Sequence, residues 1–179
     1  MKPWDRLGTE SVADFRIFSM EKERRWNPRT QKEHSFFVLH SPDWVNVIAL
    51  TPDEEVLLIR QFRAGTDSIT TEIPGGMVDP GEEPSTAAIR ELQEETGYVG
   101  TKITALGVVH PNPAFLNNQC HTFLIENTIQ ESEQRLDSGE DIHVFTTPLS
   151  EIPNRIADGT ITHSLVIAAF AHLDRYRAG

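Results

Sequence analysis

Apolar residues recur at strand spacing through the middle of the chain. Runs at 36–39, 44–50 and 55–62 are rich in Val, Ile, Leu, Phe and Trp, and turn-forming residues separate them, which predicts three strands. The connections between these strands are short, so the pattern predicts an antiparallel meander. The residues before them, 1–33, are polar and mixed.

Two later segments show the pattern of helices. Pro84 stands at a first helical position and Gly97 at a natural stop, so the helix-forming residues 85–96 between them predict a helix. Apolar residues three or four apart over 162–177 predict a second helix with one apolar face.

The remaining predicted elements lie between these two helices along the chain. Further strands are predicted at 102–110, 120–126 and 142–147, and a short helix at 148–152. We expect His163 to cap the last helix and Ser164 to pack at its start. Strands and helices in this order predict an α/β fold, with a mixed sheet covered by helices.

The chain is acidic overall. It has 179 residues, with 16 Lys plus Arg against 27 Asp plus Glu, and a formal net charge of −11 at pH 7. This charge disfavours binding to nucleic acid, because phosphates attract a basic surface. Small anionic substrates stay compatible with it, since bound divalent cations reverse the sign of a local acidic cluster.

Composition excludes a membrane-spanning helix and predicts a cytoplasmic protein. Hydrophobic residues make up 38% of the chain, and no run reaches the roughly 18 apolar residues that a span requires. The first residues lack the basic-then-apolar pattern of a secretory signal. Cys120 is the single cysteine, so an internal disulfide is excluded.

The predicted helix at 84–96 carries a cluster of carboxylates. Glu91 and Glu95 are four residues apart on one face, and Glu94 lies on the next row. Like charges at this spacing destabilise a helix by roughly 0.2–0.5 kcal/mol per pair, and Arg90 alone cannot neutralise three of them. A hard cation such as Mg²⁺, which prefers oxygen ligands, would do so. The alternative is a solvated acidic surface.

The helix and the loop before it form a longer motif. The sequence runs Gly76-x5-Glu82-x7-Arg90-Glu91-Leu92-x-Glu94-Glu95-x-Gly97. This stretch resembles the Nudix box of the Nudix hydrolase family at every fixed position, with Tyr98 in place of a final small aliphatic residue. The resemblance implies a Nudix fold, an α/β/α sandwich around a mixed sheet, and hydrolysis of a nucleoside diphosphate linked to another group.

The resemblance also implies the residues that bind metal. Glu91 and Glu95 are expected to be ligands, and Glu94 a further ligand or a supporting acid. The carbonyl of Gly75 is expected to be a backbone ligand. The cofactor is expected to be Mg²⁺, for which Mn²⁺ can substitute. Arg90 matches a family position that supports these carboxylates, and direct contact with the substrate is the alternative.

Outside this motif the chain resembles the ADP-ribose and nucleoside diphosphate sugar pyrophosphatase branch of the family. The stretches 56–63 and 71–76 match its Gln-aromatic-Arg strand and its Glu-x-Pro-Ala-Gly segment, and Pro113 stands at its marker proline. Arg63 is thereby expected to bind pyrophosphate through a bidentate fork, with a surface salt bridge as the alternative. Glu72 is expected to bind a ribose hydroxyl or, equally, to pack against Arg63.

Three more residues are candidates for substrate contacts. Trp44 and Phe115 offer flat surfaces for base stacking, although aromatic residues are more often part of the core. In this branch an aromatic near Trp44 reaches the partner's site in a dimer. We therefore expect a homodimer, with N-terminal strands in 1–40 contributing to it and 41–179 as the Nudix domain. Asn118 stands where the branch has a glutamate, which leaves a broader sugar specificity as open as a preference for ADP-ribose.

The reaction also requires a base. In this branch an acidic loop after the motif supplies it, and Glu140 aligns best as base or additional metal ligand, with a solvated loop acid as the alternative. The expected products are a nucleoside monophosphate and a sugar phosphate. Two other functions remain open: a Nudix-fold sensor that binds ADP-ribose without cleaving it, and a hydrolase of dinucleoside polyphosphates or nucleoside triphosphates.

Overall fold

The structure is a computed structural model that describes residues 2–179, and the chain divides into two compact units. The first unit contains the residues through Asp43 together with His110–Gln119. The second contains Trp44–Val109 and Cys120–Gly179. The assignment of 1–40 to an extension and 41–179 to a catalytic domain stays a prediction.

The first unit contains a three-stranded antiparallel sheet. Its strands, in the order β1-β2-β3, are β1 (Asp5–Phe15), β2 (Phe18–Asn27) and β3 (Lys32–His40). The pattern of residues 1–33 did not predict the bounds of β1 and β2, because charged residues occupy much of both strands.

Ion pairs explain how such polar strands remain paired. The buried carboxylate of Glu23 in β2 accepts from Arg6 in β1 at 2.8 Å and also from Arg25 in its own strand. A buried carboxylate that is paired in this way avoids the cost of an unpaired buried charge. Hydrophobic alternation, on which strand prediction depends, is therefore replaced here by charge pairing across the sheet.

The second unit holds the remaining elements. In chain order they are β4 (Trp44–Ala49), β5 (Glu55–Arg63), β6 (Ser68–Glu72), α1 (Pro84–Thr96), β7 (Tyr98–Val99), β8 (Lys102–Val109), β9 (Cys120–Glu126), β10 (Ile129–Gln130), β11 (Ile142–Pro148), a 3-10 turn (Leu149–Glu151), α2 (Ile152–Ala157) and α3 (Ser164–Arg177).

The predicted meander of three consecutive strands is wrong. β4 pairs in parallel with β9, β5 pairs antiparallel with β6 and β11, and β3 pairs with β2. Between β4 and β5 a single bridge, Leu50 to Val56, spans the short turn. β4 and β5 carry buried apolar side chains on both faces, so packing against helices on either side determines their neighbours more than loop length does.

Helices cover both faces of the strands in the second unit. Val45 and Val47 of β4 belong to the same apolar cluster as Leu92 of α1. Ile48, the next residue along β4, belongs to a second cluster with Phe170 of α3. Burying each such side chain stabilises the fold by about 1.5–3 kcal/mol. The α/β/α arrangement with a mixed sheet is therefore confirmed.

The two main helices differ in how well their ends were predicted. α1 begins at Pro84, and Gly97 follows it in the left-handed conformation at φ 74°, as the sequence predicts. His163 is the N-cap residue of α3, but its side chain makes no capping hydrogen bond there, so that part of the prediction is wrong. Across the described residues, none of the helices has both the length and the apolar content needed to cross a membrane.

Candidate active site

A cleft of about 800 Å³ in the second unit collects most of the predicted site residues. It lies among β4 to β6, the loop before α1, α1 itself and the loop before β11. The predicted residues that line it are Trp44, Arg63, Glu72, Gly75, Arg90, Glu91, Glu94, Glu95 and Glu140. The other two predicted residues, Phe115 and Asn118, belong to the first unit.

Glu95 lies deep in the wall of this cleft. Its side chain accepts a 2.9 Å hydrogen bond from the backbone N–H of Gly75, and the residue is only 3% exposed. Burial raises the pKa of Glu95 to about 8, and the negative charges of Glu91 and Glu140 act in the same direction against the Gly75 hydrogen bond. A charged carboxylate in this position requires more positive charge than the protein supplies, as a bound cation would provide.

The glycine pair before the helix is fixed by close backbone contacts. The N–H of Val45 donates to the Gly76 carbonyl at 2.9 Å, and that of Val47 donates to the Pro74 carbonyl at 2.8 Å. A Cβ at position 75 would lie 2.1 Å from the Val45 carbonyl oxygen, so only glycine fits there. The N–H of Gly75, between these two contacts, is the donor that binds Glu95.

Gly76 makes room for a carboxylate instead. A Cβ at this position would lie 2.3 Å from Oε1 of Glu91, so the carboxyl group packs directly on the loop backbone. Burial raises the pKa of Glu91, while Arg90 opposes the shift. Glu91 and Glu95, the two expected ligands, are thus both held in partly dry positions beside the same loop.

Arg90 connects the acids of the helix to the loop. It donates two hydrogen bonds to Glu82, at 3.0 and 2.9 Å, and single bonds to Glu91 at 2.9 Å and Glu94 at 3.2 Å. It also donates to the carbonyl of Met77 at 3.0 Å. The bonds to Glu82 raise the pKa of Arg90 and lower that of Glu82. These contacts are those of a residue that orients the carboxylates.

Arg63 and Glu72 form a two-pronged ion pair at the cleft. Nε and Nη2 of Arg63 donate to the two carboxylate oxygens of Glu72 at 2.9 and 2.8 Å, and Thr70 donates to the same carboxylate at 2.6 Å. Burial would raise the pKa of Glu72, but the hydrogen bonds from Arg63 and Thr70 lower it overall. The side chain of Arg63 remains 45% exposed, so it is both paired and accessible to a ligand.

Glu140 lies in an exposed loop between α1 and β11. Its carboxylate accepts a 2.9 Å hydrogen bond from the N–H of Asp137, and its own N–H donates to the Asp137 carbonyl at 2.9 Å. These two bonds form a compact turn whose side chains line the cleft. Trp44, half-buried at the start of β4, lies on the cleft as well.

Phe115 and Asn118 have different surroundings in the first unit. The amide of Asn118 is buried and donates to the carbonyl of Pro42 at 3.0 Å, which ties two segments of that unit together. Phe115 is 43% exposed, and its carbonyl accepts a 2.7 Å bond from the N–H of Leu39 in β3. The predicted substrate contacts of both residues stay predictions.

Sequence reasoning missed several residues that line the cleft, among them Arg135 and His163. Arg135, next to the acidic loop, had no motif to mark it, and His163 was assigned to helix capping. The side-chain amide of Asn46 in β4 donates to the carbonyl of Leu165 at 3.1 Å, which fastens the start of α3 beside the cleft. A motif spacing cannot predict a contact between two residues that are 119 positions apart in the sequence.

A second group of ligand atoms lies outside the cleft. Side-chain atoms of Glu21, Glu23 and His40 lie within 4.8 Å of one another in the first unit. Glu23 is already paired with Arg6 and Arg25, so its charge is neutralised without a metal ion. We assign no metal to this group.

Comparisons with known proteins match most of this chain. A family model described as NUDIX domain matches residues 40–170. An ADP-ribose pyrophosphatase of Bacillus subtilis (strain 168) is 34% identical over 146 residues, which are 81% of this chain and 78% of the relative. An ADP-ribose pyrophosphatase of Saccharomyces cerevisiae is 32% identical over 146 residues, covering 75% of this chain and 62% of the relative.

A solved structure provides an independent match to the fold. The crystal structure of an ADP compounds hydrolase superposes with a TM-score of 0.86 and covers 98% of this chain and 95% of that one. The two sequences are 22% identical, so this likeness concerns the fold alone.

Proposed function

Because the chain belongs to the Nudix family, we propose that it hydrolyses the pyrophosphate bond of nucleoside diphosphate sugars such as ADP-ribose. The products are a nucleoside monophosphate and a sugar phosphate. The observation that carries this proposal is the meeting of Glu91, Glu94 and Glu95 with Arg63 in one cleft, because carboxylates that bind cations and a guanidinium that binds phosphate serve the same substrate.

The carboxylates and the glycine loop are suited to a divalent cation. Glu91, Glu95 and the carbonyl of Gly75 would hold Mg²⁺, with Glu94 and Glu140 as further ligands or supporting acids, and Mn²⁺ would substitute. The raised pKa of the buried Glu95 supports this fit, because a cation stabilises the charged form that burial disfavours. When bound, the ion would neutralise the pyrophosphate and make water a stronger nucleophile.

The protein groups around the bond have separate tasks. Arg63 binds the pyrophosphate oxygens with its accessible face, while Glu72 keeps the guanidinium oriented. Glu140 accepts a proton from the attacking water, whose oxygen bonds to one phosphorus as the bridging P–O bond breaks. Arg90 stays bound to Glu82 and holds the carboxylates in place.

Further residues are proposed to recognise the nucleoside and the sugar. Trp44 stacks on a base, and its position at the start of β4 leaves it half-exposed on the cleft. Phe115 and Asn118 are proposed to contact the same substrate. With an amide instead of a carboxylate at position 118, we expect several diphosphate sugars to be cleaved, not ADP-ribose alone.

We further propose that the protein is a homodimer formed through its first unit, and that it acts in the cytoplasm without binding nucleic acid. Large apolar side chains remain exposed on this unit: Leu7, Val12, Phe15, Ile17, Trp26, Phe36 and Phe37. Clustered exposed apolar residues favour association with another surface. Light scattering at micromolar concentration tests the dimer, which has twice the 20.2 kDa mass of the chain; a monomer would contradict it.

The decisive experiment is a substrate profile. Purified protein with Mg²⁺ is incubated with ADP-ribose, other diphosphate sugars, a dinucleoside polyphosphate and ATP, and the products are separated by ion-exchange chromatography. We expect AMP and ribose 5-phosphate from ADP-ribose. Binding of ADP-ribose without AMP release would indicate a sensor, and faster cleavage of the polyphosphate or ATP would indicate a different hydrolase.

A further inference from the structure

A short segment after β10 docks on the C-terminal end of α1. The N–H groups of Glu131 and Ser132 donate to the carbonyl of Gly97 at 3.0 and 3.2 Å, and the N–H of Arg135 donates to that of Glu94 at 2.8 Å. The last carbonyls of a helix have no partner within the helix, so they require hydrogen-bond donors of this kind from elsewhere. The segment therefore caps the helix that carries the metal-binding acids.

The side chain of Gln134 completes this cap and extends it. Its Nε2 donates to the carbonyl of Glu95 at 2.5 Å and to the carbonyl of Ile142 at 3.1 Å. A side-chain amide has two N–H donors, and both are used here. One acceptor belongs to the last turn of α1, and the other is the first residue of β11.

The side-chain amide of Gln134 contacts both ends of the loop that holds Glu140. Residues 135–141 leave the segment directly after Gln134 and return to β11 at Ile142. Within the loop, the described bonds of Glu140 join it to Asp137, so they shape its turn but do not attach the turn to α1. Fixing both ends of the loop to the helix reduces the range of positions that Glu140 can occupy.

We propose that Gln134 is a positioning residue. Its amide joins the two ends of the acidic loop, residues 135–141, and thereby fixes the position of Glu140 relative to Glu95. This inference rests on the proposed function, because it requires Glu140 to act in the hydrolysis. Catalytic groups lose rate steeply when they are displaced, and a shift of about 1 Å can cost roughly 100-fold. Gln134 itself touches no reacting atom.

The test replaces Gln134 with Met, which keeps the length of the side chain and removes both donors. We expect kcat to fall by about 10- to 100-fold with KM changed less than about twofold. In the protein without metal or substrate, hydrogen exchange of the amides of 136–141 should become faster while that of α1 stays slow. The matched control is Gln130→Met, because Gln130 is exposed at the end of β10, directly before this segment, and its side-chain amide has one described hydrogen bond, to the carbonyl of Ser132 at 3.4 Å.

A double-mutant cycle decides whether Gln134 acts through Glu140. Glu140→Gln keeps an acceptor for the N–H of Asp137 and removes the basic carboxylate. In that background we expect Gln134→Met to reduce kcat by less than about twofold, because the group it positions is already disabled. Equal losses in both backgrounds would overturn the proposal, as would a change in KM alone or unchanged exchange of the loop amides.

The outcomes separate this inference from the function on which it rests. If Glu140→Gln keeps full activity, the role proposed for Glu140 is wrong, and the positioning proposal falls with it. If Glu140→Gln is impaired and Gln134→Met has normal kcat, the positioning proposal alone is overturned. Should Gln134→Met unfold at the assay temperature, Gln134→Asn, whose shorter side chain cannot reach both carbonyls, is measured in its place with the same expectations.

Discussion

The carboxylate of Glu95 and the backbone N–H of Gly75 are joined by a 2.9 Å hydrogen bond across 20 residues of sequence. This bond fixes the glycine loop and α1 relative to each other before any ligand arrives. It also offsets only part of the cost of burying Glu95, since the pKa of that carboxyl remains raised. The position of Glu95 therefore favours a positive charge that the hydrogen bond from Gly75 does not supply.

Replacing Glu95 with Gln should abolish most turnover and leave the fold intact. The amide oxygen of Gln can still accept from Gly75, but the negative charge that holds a cation is lost, and we expect kcat to fall by roughly 100-fold or more. Product release measured over a Mg²⁺ titration checks this. Glu83→Gln, an exposed acid before the same helix, is the control. Near-normal Mg²⁺-dependent hydrolysis by Glu95→Gln would contradict the site assignment.

The two glycines of the loop should respond differently to Ala. At position 75 the new Cβ meets a backbone oxygen of Val45, which cannot move without disrupting β4, so we expect a large fall in Tm. At position 76 it meets the end of the flexible Glu91 side chain, which can rotate away. Gly76→Ala should therefore keep a Tm near that of the parent and require more Mg²⁺ for half-maximal activity. The reverse order of stabilities would show that the loop is more mobile than its contacts indicate.

Arg63 and Glu72 should stabilise the protein only above acidic pH. The pKa of Glu72 is lower in the folded state than its ordinary value, so its contribution is complete above the ordinary Glu pKa and is lost as pH falls through the folded pKa. Because Arg63 is partly exposed, we expect Glu72→Gln to cost about 1 kcal/mol of unfolding free energy at pH 7.

Urea unfolding at pH 7 and at pH 3.5 measures this effect. The difference between the parent and Glu72→Gln should shrink at the lower pH, because the unfolded chain then takes up a proton at Glu72 that the folded carboxylate, with its lowered pKa, resists. Glu83→Gln is measured alongside as the control, since the side chain of Glu83 makes no capping bond. A difference that stays constant with pH would mean that Glu72 stabilises the fold by packing and not by charge.

Arg90→Lys should weaken both the fold and the metal site. A lysine ammonium is a single point charge and cannot reproduce the planar fork that serves Glu82, Glu91 and Glu94 together. We expect a loss of about 2 kcal/mol or more in unfolding free energy, since partly buried carboxylates lose their partner. Chemical unfolding and calorimetric Mg²⁺ binding check the two effects. A variant with unchanged stability and poor turnover would instead favour direct contact between Arg90 and the substrate.

The features of the fold that depend on neighbouring residues in the chain were predicted from the sequence. α1 follows from Pro84, Gly97 and the helix formers between them, and the acids fall on the helix at fixed spacing. The bounds of the polar strands β1 and β2 were not predicted, because Glu23 and its arginine partners replace the apolar alternation that marks a strand. The pairing of the strands was also not predicted from the sequence, because the parallel pairing of β4 with β9 depends on residues far apart in the chain.

Within the site, the carboxylates and Arg63 were predicted together with two residues that hold them, Arg90 and Glu72, whereas Gln134 was not predicted. Gln134 has no motif, and its contacts with Glu95 and Ile142 exist only once the chain has folded. His163 was expected to cap α3, but its side chain makes no capping hydrogen bond, and the residue lies among those that line the cleft. Arg90 orients the carboxylates and could be found because it lies at a fixed position of the motif, whereas the position of Gln134 depends on tertiary contacts alone.

Gly97 imposes two independent restrictions at a single position. Its left-handed φ disfavours any side chain, and a Cβ there would lie 2.0 Å from the carbonyl oxygen of Ser132. A substitution would thus force the helix end and the docked segment apart, which would change the geometry of the acidic loop as well as the end of the helix. Among natural variants of this chain, a residue other than glycine at 97 should therefore occur only together with a changed path of the segment at Ser132.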